Sequence, residues 1–327
     1  MMKMQANLKD REFKLSFADF YSKYGYIISF IVLVFIGLYF NKSFLSINNI
    51  MTLLVQASVK GVIAIGLTFA ITCGLFDLSL GSQVAFIAGM GVVLYNAIPS
   101  IPLTLLFMLA FGCVLGSVNG LLVAHFSMPP FIATLATQAA YRSIITQLGA
   151  EGPFEINRAY LEQFRVVATG SLLGIPYMVW IFAIVAALGG LVLNRTKFGK
   201  YVTAIGSNAN AARLAGINVK GIKTMVYVLT GCMAGLSGFL LTARLTSITA
   251  ANAGLQFELD GVAAVAIGGS AMSGGRGRIL GSFFGILMLQ MIESILIAAA
   301  VPPFLSGLVK GIIIIVAVLI QDRPSSR

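Results

Sequence analysis

Apolar runs recur along this chain from Tyr26 to Ile320, separated by short segments rich in Gly, Pro, Ser and Asn. A helix crossing the hydrocarbon of a bilayer needs roughly 20 apolar residues. The pattern therefore predicts an all-α, polytopic membrane protein with about ten transmembrane helices. Continuous runs place helices over about 25–40, 51–73, 103–124, 130–147, 172–193, 224–243, 279–299 and 304–320. Two further segments are irregular. After Gly74 the run is broken by Asp77 among small and polar residues, and a helix restarts toward Tyr95. The run Leu259–Ala271 is too short for an ordinary crossing and predicts a short or tilted helix.

The two irregular segments lie in opposite halves, near Asp77 and near Asp260. Broken helices persist at membrane depth only where protein or a watery cavity satisfies the freed backbone groups. Paired interruptions point to an internal repeat, with a solute path between the halves. Within the 103–124 run, Gly112, Gly116 and Gly120 recur every fourth residue, a ridge of small residues that lets helices approach closely.

Composition agrees with lipid as the solvent. Only 10% of residues are charged and the mean hydropathy is +0.94, against about 25% charged in a soluble domain. The net charge is +11, which on a soluble protein would raise nucleic acid as a partner. Here the basic residues sit at the ends of runs and in one segment, so no nucleic acid is expected. Residues 194–223 carry Arg195, Lys197, Lys200, Arg213, Lys220 and Lys223 and no acid, which marks a cytoplasmic segment under the positive-inside rule. The 149–170 segment, with Glu151, Glu155 and Glu162 against Arg158 and Arg165, is expected outside as a polar loop. Both termini then fall in the cytoplasm. The expected organisation is an N-terminal cytoplasmic segment (1–24), one transmembrane domain (25–321) and a short cytoplasmic tail (322–327). Tyr26–Phe40 is read as a retained span and not a cleaved signal.

Candidate chemistry is sparse. The single histidine, His125, ends a span, and no GxSxG elbow or HExxH motif occurs. Cys73, Cys113 and Cys232 lie in apolar runs as small core residues, and no metal site is expected. Gly216–Thr224 superficially resembles a phosphate loop, but Ile222 separates the second Gly from Lys223. The lysine of a true P-loop follows its Gly directly, so this chain is not expected to bind ATP, and no cofactor is expected. The ionisable residues inside apolar runs are costly in lipid and so are functional candidates: Lys60, Asp77, Arg142, Glu293 and Lys310. Lys60 and Lys310 are read as snorkelling or pairing with backbone carbonyls. Asp77 is read as capping a helix that starts at Leu78. Glu258 and Asp260 precede the short apolar helix, where negative charge suits a helix N-terminus.

Three motifs, in order, carry a resemblance. Asp77-Leu78-Ser79-Leu80-Gly81-Ser82 resembles the Asp-Leu-Ser-Val-Gly-Ser signature of ribose-type ABC importer permeases. Thr196–Tyr201, then Ala204–Asn208 and Ala211–Ile217, resemble the ATPase-contacting loop of that family. Phe257–Asp260, Ala263–Val265, Ile267–Ser270 and Gly274–Arg278 resemble its C-terminal signature. Two departures stand out: the family usually has Gly-Ile-Asp-Leu-Ser where Gly74 is followed here by Leu75-Phe76-Asp77, and often Gly-Gly-Asn where this chain has Gly206-Ser207-Asn208.

The resemblance implies an inner-membrane transport subunit with no enzymatic activity of its own. It implies four partners: a separate ABC ATPase, a periplasmic substrate-binding protein, a second permease chain (identical or a sister) and a small sugar. Ser207, Asn208, Ala211, Ala212, Arg213, Leu214, Gly216 and Ile217 would form a short coupling helix docking on the ATPase. Asp77, Ser79, Gly81, Ser82, Glu258 and Asp260 are the helix-break and pathway candidates. Competing readings are an ABC permease for a nucleoside, an autoinducer or a branched-chain amino acid, an ion-coupled secondary transporter, and a channel. The aromatic residues do not decide the solute.

Overall fold

The computed structural model describes residues 27–302 apart from 151, together with a few positions between 305 and 315. Residues 1–24 and 322–327, Lys310, Glu151 and most of the expected 304–320 span lie outside the described residues. The described chain is mostly helical: α1 (Ile27–Phe40), α2 (Ile47–Thr72), α3 (Leu80–Ala97), α4 (Ile101–Ala124), α5 (Pro130–Leu148), α6 (Leu161–Thr169), α7 (Tyr177–Arg195), α8 (Lys197–Ser207), α9 (Ala209–Leu214), α10 (Val219–Leu245), α11 (Phe257–Ile267) and α12 (Ile279–Ala298). Among the described residues, six helices are long and apolar enough to cross a membrane: α2, α3, α4, α7, α10 and α12.

The core is built around α2 and α10. Sixteen of the 26 residues of α2 are buried, including an unbroken run from Gly61 to Thr72. α10 packs against α4 along the predicted glycine ridge. A Cβ on Gly112 would strike the Gly231 carbonyl oxygen, and one on Gly116 would strike that of Tyr227. The two backbones approach so closely that only hydrogen fits between them, as small-residue interfaces in membranes require. In contrast α7 turns much of its surface outward, with Ile184, Leu188 and Leu191 exposed, as a lipid-facing helix does.

Three segments differ from the pattern of runs and loops read from the sequence. Within 149–170, residues 161–169 form α6, an amphipathic helix that buries Phe164 against Tyr95 and Phe239 while Glu162 and Arg165 stay exposed. Phe154–Glu155 (β1) pairs antiparallel with Ser247–Ile248 (β4), which ties this segment to the end of α10. Residues 171–176, expected to open a span, form a hairpin of Ser171–Leu172 (β2) and Ile175–Pro176 (β3), and α7 starts only at Tyr177. The basic 194–223 segment is almost wholly helical (α8 and α9). Phe198 stacks on Phe69 of α2 at 6.2 Å, and Val202 and Ile205 are buried. In α6 and α8 a few apolar side chains are buried in the bundle, a gain that no count of polar residues along the chain can register, whereas the hairpin leaves Leu172 and Leu173 exposed.

Four helix ends share one device. At the end of α2, Gly74 adopts φ +74, Leu75 N–H donates to Ala70 O at 2.8 Å and Gly74 N–H to Ile71 O at 2.9 Å. This pair of hydrogen bonds around a left-handed residue is the Schellman motif. It recurs at Gly216 after α9, at Gly269 after α11 and, with a non-glycine residue, at Ala300 after α12.

Candidate functional site

The break between α2 and α3 is a closed polar knot. Asp77 is fully buried. Its Oδ1 accepts from Ser79 N at 3.0 Å and Ser79 Oγ at 2.6 Å, and its Oδ2 accepts from Thr230 Oγ1 at 3.2 Å. Asn119 Nδ2 of α4 lies 3.3 Å from Asp77 Oδ1 and 2.7 Å from Ser79 Oγ, and Thr137 of α5 donates to Asn119 Oδ1 at 2.7 Å. Tyr227 Oη donates to the Phe76 carbonyl at 2.9 Å. Side chains from α4, α5 and α10 therefore satisfy what the broken helix leaves open. The capping expectation needs correction. The helix starts at Leu80, its N-cap is Ser79, and Asp77 stands two residues before it, turning the chain through Ser79 and not capping the first turn. Ser82 Oγ donates to Ser79 O at 2.8 Å.

The second interruption lies directly against the first. After α10, Thr246 takes a left-handed conformation, and so does Gln256 just before α11. The segment between them is held by Arg142 of α5, whose guanidinium donates to Ala250 O at 2.6 Å and Ala253 O at 2.8 Å. Gly254 (φ +68) meets Gly81 backbone to backbone, and a Cβ on Gly81 would strike both the Gly254 carbonyl and the Glu258 carboxylate. Glu258 Oε1 also accepts from Gln138 Nε2 at 3.4 Å. The two half-helices expected from opposite halves of the sequence thus touch at Gly81, Gly254 and Glu258. Glu258 and Asp260 lie inside the first turn of α11 and not before it.

The six helix-break and pathway candidates, Asp77, Ser79, Gly81, Ser82, Glu258 and Asp260, are all buried, and they divide into two groups. The first four and Glu258 form the knot and the joint. Asp260 belongs elsewhere: its Oδ2 lies 2.7 Å from Lys60 Nζ, and Glu293 Oε2 of α12 lies 3.5 Å from the same amine. The expectation that Lys60 snorkels or bonds backbone carbonyls is replaced by this ion cluster linking α2, α11 and α12. Intramembrane position was the sequence signal for Lys60 and Glu293, but it could not pair residues 200 or more positions apart.

The basic end of the bundle carries the other candidate group. α9 is capped by Asn208, whose Oδ1 accepts from Ala211 N at 3.0 Å, and it ends at Gly216 (φ +84). Ser207, Asn208, Ala211, Arg213, Leu214 and Gly216 are exposed, and Ile217 is half-buried. Leu214 is 90% exposed. Ala212 is buried and anchors the helix to its own chain. Beneath it, Gly275 N–H donates to Thr72 O at 2.9 Å, and Gly206 packs against the same Thr72 carbonyl. The α8–α9 unit is thereby joined to the end of α2 and to the 268–278 turn. Among the described residues no group of three His, Cys, Asp or Glu side chains could hold a metal ion.

The family model for the permease component of branched-chain amino acid transport systems matches residues 49–318, most of the chain. The chain belongs to this permease family. The ribose import permease of Bacillus subtilis is 36% identical over 98% of both chains. That of Haemophilus influenzae is 35% identical over 90% of this chain and 91% of its own. The galactose/methyl galactoside import permease of Escherichia coli is 31% identical over 96% of this chain and 98% of its own. No solved structure gives a significant match. As a permease-family chain with six helices among the described residues long and apolar enough to cross a membrane, this is a multi-pass protein of the bacterial inner membrane.

Proposed function

We propose that this chain is the membrane-spanning permease subunit of an ATP-driven ABC importer for a small sugar. The observation that carries the reading is similarity over nearly the whole chain to import permeases for ribose and galactose. The matching family model is described by branched-chain amino acids, but the relatives that cover the chain from end to end carry sugars in their names.

The crossing number supports a topology with both termini in the cytoplasm. To the six apolar helices we add α1, α5, the short crossing made by α11, and the 304–320 run, which makes ten. The transmembrane domain (25–321) is then flanked by the cytoplasmic segments 1–24 and 322–327. The basic end, with α8 and α9, faces the cytoplasm.

In this reading α9 is the coupling element. It is short, clamped at one end by Asn208 and at the other by Gly216, and it displays Arg213 and Leu214 outward. An exposed leucine beside an arginine suits a groove that is apolar at its floor and acidic at its rim, on a separate ATPase. The anchoring of α8 and α9 to Thr72 and Gly275 supplies a stiff route from that groove to the helix break at Gly74–Ser79. A periplasmic binding protein would deliver the sugar at the opposite end, and a second permease chain would complete the pore. The knot around Asp77 and the joint at Gly81 and Glu258 would serve as the hinge between the two halves, with Ser79 and Ser82 holding the restart of α3.

Purification of the tagged chain from its native membrane in mild detergent, with identification of co-purifying proteins, tests the reading. A P-loop ATPase and a periplasmic sugar-binding protein are expected. Recovery of the chain alone, with sugar uptake driven by an ion gradient after reconstitution, would instead make it a secondary transporter.

A further inference from the structure

Lys60 sits at the midpoint of the 26-residue α2, where an ammonium facing hydrocarbon is costly. It is not enclosed: its side chain is 16% exposed and that of Glu293 33% exposed. Both line a cavity of about 180 Å³ shared with Gln56, Arg244, Phe257 and Gln290. Charged and amide side chains that reach a cavity at this depth face water or a polar solute and not lipid.

The chemistry of the lining selects what fits. Two cations, Lys60 and Arg244, are matched by two anions, Glu293 and the adjoining Asp260, so the cluster is balanced and offers no net charge to an ionic solute. The two glutamines each present a donor and an acceptor, the combination a hydroxyl group needs. Phe257 adds a flat apolar face, with Lys60 Nζ 5.5 Å from its ring centroid. The volume is below the roughly 300–1,000 Å³ of pockets for drug-sized molecules. The lysine is held unequally. Asp260, 7% exposed, grips it at 2.7 Å, while the more exposed Glu293 stands at 3.5 Å and accepts from Gln290 Nε2 at 3.4 Å.

We propose that this cavity is a stretch of the solute path that takes an uncharged, polyhydroxylated solute of monosaccharide size. Gln56, Gln290, Lys60 and Glu293 exchange hydrogen bonds with its hydroxyls, Phe257 covers a C–H face, and Asp260 keeps Lys60 in place while Glu293 shifts. The proposal rests on the permease reading above and assigns its solute contacts to a place distinct from the buried Asp77 knot.

The test uses the full transporter with its ATPase and binding protein, with Cys73, Cys113 and Cys232 changed to Ser. Gln56→Cys and Glu293→Cys are expected to react with a membrane-impermeant maleimide, and prior loading of the binding protein with sugar is expected to slow the reaction at least threefold. Separately, Gln290→Leu is expected to lower uptake of ribose, galactose or xylose, whichever the unmodified transporter carries, at least tenfold, with the ATPase co-purifying at its usual level. If sugar uptake is normal and both cysteines stay unreactive, or Gln290→Leu transports as well as the unmodified protein, the cavity is not on the path while the permease reading stands. An assembled unmodified transporter that takes up none of the three sugars overturns the sugar reading and this proposal with it.

Discussion

At the scale of single residues, the polar groups of this protein are valuable where several helices meet on them. Lys60 illustrates the rule, because its charge is tolerated only through Asp260 and Glu293 on two other helices. Removing one partner of a buried pair strands the other, at a cost of about 3–5 kcal/mol, whereas replacing both by apolar groups is often neutral. Asp260→Ala is therefore expected to lower the melting temperature in detergent sharply, and Lys60→Met in the same chain to restore most of it. A double variant as unstable as the single one would show that the pair is not the cause. Asp77 has four donor groups converging on it from Ser79, Asn119 and Thr230. Each donor left without a partner costs about 1–3 kcal/mol. Asp77→Ala should reduce folded yield and assembly more than solute affinity, as size-exclusion profiles and uptake at several sugar concentrations would reveal. A fully assembled variant with a selective rise in the sugar concentration for half-maximal uptake would place Asp77 on the path instead.

At the scale of helices, glycine acts in two unlike ways. In the α4–α10 seam it is a spacer, and any side chain would meet carbonyl groups that cannot move. Gly116→Val should abolish folded protein in membrane extracts. A Cβ on Gly190 of α7 would meet nothing nearer than Ile279 Cγ2 at 4.0 Å beyond its own helix backbone, so Gly190→Ala should be neutral or gain up to about 1 kcal/mol from helix propensity. At helix ends, glycine supplies the left-handed turn. Gly216 does so after α9, but Ala300 adopts φ +55 after α12 with a side chain that resists it. A left-handed non-glycine residue costs roughly 1–2 kcal/mol, so Ala300→Gly should raise the melting temperature and Gly216→Ala should lower it. Equal melting for all these variants would remove the argument.

At the scale of the whole molecule, the described chain gathers the basic residues of the 194–223 segment at one end of the helix bundle. The basic end carries α8 and α9, fastened to the end of α2, where the first helix break begins; that break meets the second at Gly81 and Gly254; α6 and the β1–β4 pair lie against α3 and the end of α10. Under the proposed coupling role, charge reversal at Arg213 or Leu214→Asp should lower ATP-driven uptake at least tenfold without changing folded yield, because both side chains project away from the core. Normal uptake by both variants would move the ATPase contact off α9. Transport by a single site also requires that distant segments act together, and the Gly81–Gly254 contact joins positions on α3 and ahead of α11 that are far apart in the chain.

Much of this was legible in the sequence. The run lengths specify apolar helices because lipid offers backbone groups no partner outside a helix. The Gly112, Gly116 and Gly120 spacing marks a close seam because helical geometry stacks every fourth residue. Gly74 and Asp77 mark a break, and the acid-free 194–223 segment marks one face. These are local properties, decided within a few residues of chain. What only the tertiary structure decided is which distant groups meet: Lys60 with Asp260 and Glu293, Asn119 and Thr230 with Asp77, Gly81 with Gly254, Phe164 with Tyr95 and Phe239. Charge and polarity along the chain state that a buried group needs a partner, but three-dimensional packing alone selects it, because many residues of suitable chemistry compete and only close approach of the backbones chooses among them.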